Sequence, residues 1–216
     1  MKKIYIILFL LSFNTIVLAQ KKGIVEFGAN VGLNRSLVSN TTGSTDPLIG
    51  FNVALSADYY FSDRWSIKGK LIYDQKGWAN GFITFDTLNG QNPNDPAFYQ
   101  TITTDFNFDY ITIPVMANWH FGKKRNWYLN FGPYVGFLVS AKDSKLKYNF
   151  NDEFQKTDVG LALGIGVKIP VSDKLKIYFE YEEQTGFTDI YVINNTGSAI
   201  TNTRGSINVG LNFLMK

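Results

Sequence analysis

Val25-Glu26-Phe27-Gly28-Ala29-Asn30-Val31-Gly32-Leu33-Asn34 decides the fold. One set of alternate positions is Val25, Phe27, Ala29, Val31 and Leu33. The other is Glu26, Gly28, Asn30, Gly32 and Asn34. A strict period of two means an extended strand whose two faces meet different surroundings. Seven more segments repeat the pattern: Phe51 to Phe61, Ile67 to Asp74, Ile111 to Phe121, Trp127 to Val139, Asp158 to Ile169, Leu175 to Glu182, and Ser206 to Phe213. They approach or exceed the roughly 9–11 residues of a tilted membrane strand. Helical periodicity is missing throughout.

The connections alternate in length. Ser62-Asp63-Arg64, Gly122 to Asn126, and Ser172-Asp173 are tight turns. Arg35 to Pro47, Ala79 to Asp109, Ala141 to Lys156, and Phe187 to Arg204 are long and polar. Outer-membrane barrels sort their connections this way, with short periplasmic turns and long extracellular loops. The expected fold is therefore all-β: an eight-stranded antiparallel up-and-down transmembrane β-barrel of residues 20–216.

The N-terminus fits that destination. Lys2 and Lys3 precede an apolar run from Ile4 to Leu11, and Val17-Leu18-Ala19 stands before Gln20. This is the pattern of a secretory signal peptide over residues 1–19. The alternative is a membrane anchor, but Ser12, Asn14 and Thr15 break the run short of the 20 or so apolar residues a spanning helix needs.

Alternation alone would also suit a soluble calycin-like carrier with its apolar face inside. Two features place that face against lipid. Glycines collect on the polar face, at Gly28, Gly32, Gly132, Gly136, Gly160, Gly164, Gly166 and Gly210, as a crowded narrow lumen requires. Aromatics gather beside the short turns: Phe61, Trp65, Trp119, Phe121 and Trp127 form an expected periplasmic girdle. Glu183 shares the outward parity, and its height of roughly 20–25 Å above the turns lets it reach the headgroups.

The lumen receives Glu26, Asp58, Asp74, Asp158, Glu180 and Glu182 against Lys68, Lys70, Lys76, Lys168 and Lys176. Eight strands leave space for side chains and none for a channel, so these charges read as a paired structural plug. A proton or ion path is the competing reading. The lysines of strand three are expected to meet Glu180 and Glu182 of strand seven across the ring. Pro114 and Pro133 lie inside strands, which predicts a bulge or an irregular patch where strands four and five meet.

The chain resembles the PorT-like outer-membrane β-barrel family. The resemblance rests on Tyr110-Ile111-Thr112-Ile113-Pro114, Gly132-Pro133-Tyr134-Val135-Gly136, Asp158-Val159-Gly160 with Gly164 and Gly166, Asp63-Arg64-Trp65-Ser66-Ile67, and Ser172-Asp173-Lys174-Leu175. It implies insertion by the outer-membrane assembly machinery. That machinery reads a terminal aromatic strand, and here Phe213 is followed by Leu214-Met215-Lys216. Relatives are linked to a secretion system and to gliding, but no motif carries that role over.

The functional expectation is a non-enzymatic outer-membrane barrel whose extracellular loops are the interaction surface. Phe82, Phe85, Phe98 and Tyr99 are the candidate loop contacts. They equally suit the packing of a small hairpin extension. A secretion or gliding subunit would use the same barrel, with a partner at its lateral face or turns. An enzyme needs a base near the outer rim, and the one histidine, His120, falls at the opposite end. Cysteine is absent, which excludes thiolate metal sites and cysteine nucleophiles. No catalytic, metal or cofactor constellation emerges. A net charge of +3 without a basic cluster excludes nucleic acid as a partner. The expected partners are outer-membrane lipid, the assembly machinery, and an extracellular or secretion-system protein.

Overall fold

The computed structural model describes residues 22–39, 45–86 and 99–215. Eight strands make up the described chain: β1 (Val25–Val38), β2 (Asp46–Tyr60), β3 (Trp65–Asp86), β4 (Tyr99–Phe121), β5 (Trp127–Asp143), β6 (Thr157–Pro170), β7 (Leu175–Gly186) and β8 (Asn202–Met215). Each pairs antiparallel with the next, and β8 pairs with β1, so the sheet closes into a ring with no free edge in its wall. The seam runs from Val25↔Met215 to Val38↔Asn202.

The period of two becomes burial. Along β6 and β7 buried and open residues alternate almost without exception. Phe27, Val31, Leu33, Leu55, Leu161, Phe179 and Ile207 face outward and are exposed. Glu26, Asp58, Lys68, Asp74 and Lys168 face inward and are buried. The molecule is inverted relative to a water-soluble protein, with charge inside and hydrocarbon outside.

Two of the tight turns share one device. Ser62 Oγ accepts from the backbone N–H of Arg64 and Trp65, at 3.2 and 2.9 Å. Ser172 Oγ accepts likewise from Lys174 and Leu175, at 3.4 and 3.2 Å. The serine holds the reversal without help from longer loops.

The long connections are more ordered than their composition suggests. Most of the described part of Ala79 to Asp109 is strand. β3 and β4 pair on past the barrel rim, from Gly81↔Thr104 to Asp86↔Tyr99, as a two-stranded ribbon. The register shifts between Trp78 and Gly81 where the ribbon leaves the wall. Gly77, at φ +135°, and Asn80, at φ 57°, make the bend. A Cβ on Gly77 would meet the Phe106 carbonyl oxygen at 1.9 Å.

Two expectations need correction, and a third takes a definite form. Arg204 belongs to β8, not to a loop, and its side chain is buried. Lys76 meets Asp158 of β6, not the glutamates of β7. At the prolines the ladder is irregular rather than bulged: pairing lapses between Pro114↔Tyr134 and Ala117↔Phe131 with the register kept, and the register shift between β4 and β5 sits at Asp109/Tyr110. Glycine explains the tolerance: the Gly132 Cα lies so close to β4 that a Cβ would meet the Val115 carbonyl oxygen at 2.1 Å.

Candidate functional site

The lumen is the densest concentration of polar chemistry in the chain. Near the turn end, Glu26 of β1 accepts from Lys168 and forms an ion pair with Lys176 at 2.6 Å. Lys168 also reaches Asp58 at 3.0 Å and the Tyr60 hydroxyl at 2.8 Å. At mid-height, Lys68 Nζ lies 3.0 Å from Glu180, and Lys70 bonds both Glu180 and Glu182. These contacts join β3 to β7 across the ring.

Toward the loops, Arg204 bridges Asp74 at 3.2 Å and Glu182 at 2.8 Å. Lys76 pairs with Asp158 at 3.0 Å, and that carboxylate also accepts from Tyr134 and Asn202. All eleven charges expected inside are buried, none more than 8% exposed. Arg204 is the twelfth. With it the lumen below the cap holds six cations against six carboxylates and is neutral, while the buried Asp143 lies above, at the loop end.

Neutral groups fill the spaces between the charges. Asn52 donates to Asn34 at 2.7 Å and to Asn208 at 2.9 Å, and Asn30 donates to Asn52 at 3.1 Å. Lys68 lies over the rings of Tyr128 and Tyr178, at 5.0 and 5.3 Å. A buried charge stripped of its partner costs several kcal/mol, and each of the twelve lies within ion-pair distance of an opposite charge.

Ser66 Oγ and His120 Nε2 stand 3.0 Å apart, the spacing of a nucleophile and its base. Both residues are fully buried at the turn end, and His120 Nδ1 has no hydrogen-bond partner among the described residues. The imidazole instead stacks near Tyr60, with ring centroids at 4.9 Å. Among the described residues no group orients the imidazole from Nδ1.

Above the polar lumen sits an apolar cap. Val38, Trp78, Phe106, Phe108, Tyr110, Ala141, Phe154, Ile190 and Ile200 form one buried cluster, with Ile83, Leu138, Phe150 and Tyr191 packed against it. Trp78 stacks on Phe106 at 4.6 Å, and Phe108 meets Phe154 edge-on at 4.6 Å. Parts of the β5–β6 and β7–β8 connections thus fold down over the loop end. Asp143 anchors the first of them, accepting from the N–H of Lys145, Leu146 and Tyr148 at 2.9, 2.5 and 2.8 Å. Burial would raise its pKa, but these backbone donors outweigh that and hold it below the ordinary aspartate value.

The aromatic set beside the turns forms a continuous stack. Trp65–Trp119, Trp119–Phe121 and Phe121–Trp127 have centroids 6.3, 5.1 and 6.5 Å apart. Phe61 lies on the same rim, exposed. At the other end Phe82 and Phe85 are exposed on the ribbon. Phe98 lies outside the described residues, and Tyr99 begins β4. Glu183 faces outward and accepts from Tyr181 at 3.3 Å. No group of metal-ligating side chains occurs among the described residues.

A family model described as an outer membrane protein beta-barrel domain matches residues 18–192. No curated protein matches the chain. Among solved structures, the outer membrane protein OprG from Pseudomonas aeruginosa aligns with a TM-score of 0.57 at 12% identity, over 93% of this chain and 99% of that one. Neisserial surface protein A aligns with a TM-score of 0.52 at 16% identity, over 88% and 96%. At these identities the likeness is one of fold. Taken with the outward hydrocarbon face, the family match means that this chain belongs to the outer membrane protein beta-barrel domain family and resides in the outer membrane.

Proposed function

We propose that this protein is a non-enzymatic outer-membrane barrel with a plugged lumen that presents its loop-end ribbon and cap to a partner outside the cell. The observation that carries the reading is the neutral lumen of six cations and six carboxylates roofed by the apolar cap. Such a barrel passes no solute, which leaves its outer surface as the part that can act. The buried Ser66–His120 pair is a packing contact in this reading.

The ribbon defines the partner's chemistry. From Gly77 to Gly122 the sequence has no lysine or arginine, while Asp86 ends the β3 side of the ribbon and Asp105 follows its β4 side. Phe82 and Phe85 stand among them, so the fitting partner is a cationic protein surface with apolar contacts. The chain reaches its site by export with a peptide cleaved after Ala19, then by insertion through the outer-membrane assembly machinery.

The test is reconstitution in a planar bilayer beside a porin control. The expected result is no stepwise conductance at neutral pH, and a stable conductance would overturn the plug. Co-purification from mild detergent then tests the loops. A partner lost when residues 81–103 are replaced by a short turn supports the reading. A partner retained by that variant would instead favour the lateral-face contact of a secretion or gliding apparatus.

A further inference from the structure

The outward wall is not uniformly hydrocarbon. Arg35 on β1, Gly205 on β8 and Glu183 on β7 stand in one row, since Arg35 and Glu183 both pair with Gly205. All three have outward parity. Arg35 is ten residues beyond the first residue of β1 and Glu183 is eight beyond that of β7, placing both roughly 20–25 Å above the turns, at the upper margin of the apolar band.

Glycine at the centre leaves a trough of about 420 Å³, walled by Leu33, Ile49, Ile207 and Tyr181. A second trough of about 460 Å³ continues it toward the turns and shares Leu33 and Ile207. Its other walls include Val31, Val53, Phe179 and Val209, all apolar. The two make one groove along the closing seam, hydrocarbon below and charged at its mouth.

The charges at the mouth do not satisfy each other. Arg35 and Glu183 are two strands apart, about 9–10 Å between Cα atoms, and they form no ion pair with each other. Among the described residues Arg35 has no ion pair, and the Glu183 carboxylate receives only the Tyr181 hydroxyl. A guanidinium and a carboxylate held apart over a hydrocarbon groove need an occupant with the opposite pattern of charge. We propose that the groove is a lipid site for a phospholipid whose head carries a primary ammonium beside its phosphate. The phosphate lies on Arg35, the ammonium donates to Glu183, and one acyl chain runs down the groove past Gly205.

Native mass spectrometry of the mature barrel in detergent tests this, using phosphatidylethanolamine, phosphatidylglycerol and phosphatidylcholine as probes. One phosphatidylethanolamine per barrel is expected to be retained, about tenfold over either other lipid, the scale of one hydrogen bond to a charged group. Phosphatidylglycerol lacks the cation, and the quaternary ammonium of phosphatidylcholine lacks an N–H. R35Q should abolish the retention. E183Q should bring phosphatidylethanolamine down to the level of phosphatidylglycerol. G205V should block every lipid by filling the trough, since a Cβ there already lies 3.0 Å from the Tyr181 hydroxyl. A heat-modifiable band establishes that each variant is folded, and the two charge variants decide the matter should G205V fail that check. Equal retention of the three lipids, no retention of any, or indifference to both charge changes would overturn the site.

Discussion

Arg204 donates from Nη2 to Glu182 Oε1 at 2.8 Å, and this contact brings the lumen to neutrality. Its Nε side lies 3.2 Å from Asp74. Replacing Arg204 with methionine leaves Asp74 with no cation and Glu182 with Lys70 alone. The expected loss is about 3–5 kcal/mol, read as a lower urea midpoint in lipid vesicles. Adding Glu182→Gln to that variant should restore part of the loss.

The β3–β7 contact across the ring invites a double-mutant cycle. Lys70→Met and Glu182→Gln each break a bond in the same buried group. Their combined effect should fall short of the sum by roughly 0.5–3 kcal/mol. Additive unfolding energies would mean that the two side chains do not support each other.

Glycines on the two faces should respond oppositely. At Gly132 a Cβ would meet the Val115 carbonyl oxygen at 2.1 Å and the Met116 Cα at 2.8 Å, and backbone cannot turn aside. Gly132→Ala should cost about 1–3 kcal/mol or block assembly. Gly69 faces outward with nothing within 4 Å. Gly69→Val should keep the heat-modifiable band and leave the unfolding midpoint near that of the parent.

Asp143 lies beyond the apolar band and gives the cap a pH dependence. Its folded pKa is below the ordinary aspartate value because three backbone N–H groups outweigh its burial. The stabilisation is therefore complete above the unfolded aspartate pKa of about 3.9 and is lost as pH falls through the lower folded value. Local opening of residues 144–148 should rise on acidification in that window. Asp143→Asn should flatten the response, measured by tryptic nicking after pulses of acid.

The wall of the barrel was legible because the membrane imposes one rule on every strand. Leu161, Leu163 and Ile165 must meet lipid while Asp158, Gly160 and Gly164 meet the lumen, and a period of two survives any local propensity. Arg204 escaped notice because its neighbours Thr203 and Gly205 are not large apolar residues, so the alternation that marks a strand fades there. The cap was hidden for another reason. Phe154, Ile190 and Ile200 come from irregular segments with no period, and only tertiary packing brings them onto Trp78 and Phe108. At the prolines the ladder lapses for two residues, as proline without an N–H predicts, and the close approach allowed by Gly132 lets the register resume unshifted.

The closing seam sets an order of events. Asp74 and Glu182 come earlier in the chain than Arg204, and Arg204 lies on the strand that joins the two ends of the sheet. Until β8 docks, those carboxylates face a gap open on one side, where water can still hydrate them. Docking removes that water and delivers the neutralising side chain in the same step. Closure therefore acts as a latch: a partly zipped ring keeps hydrated acids, and the finished ring cannot reopen at β8 without exposing them again.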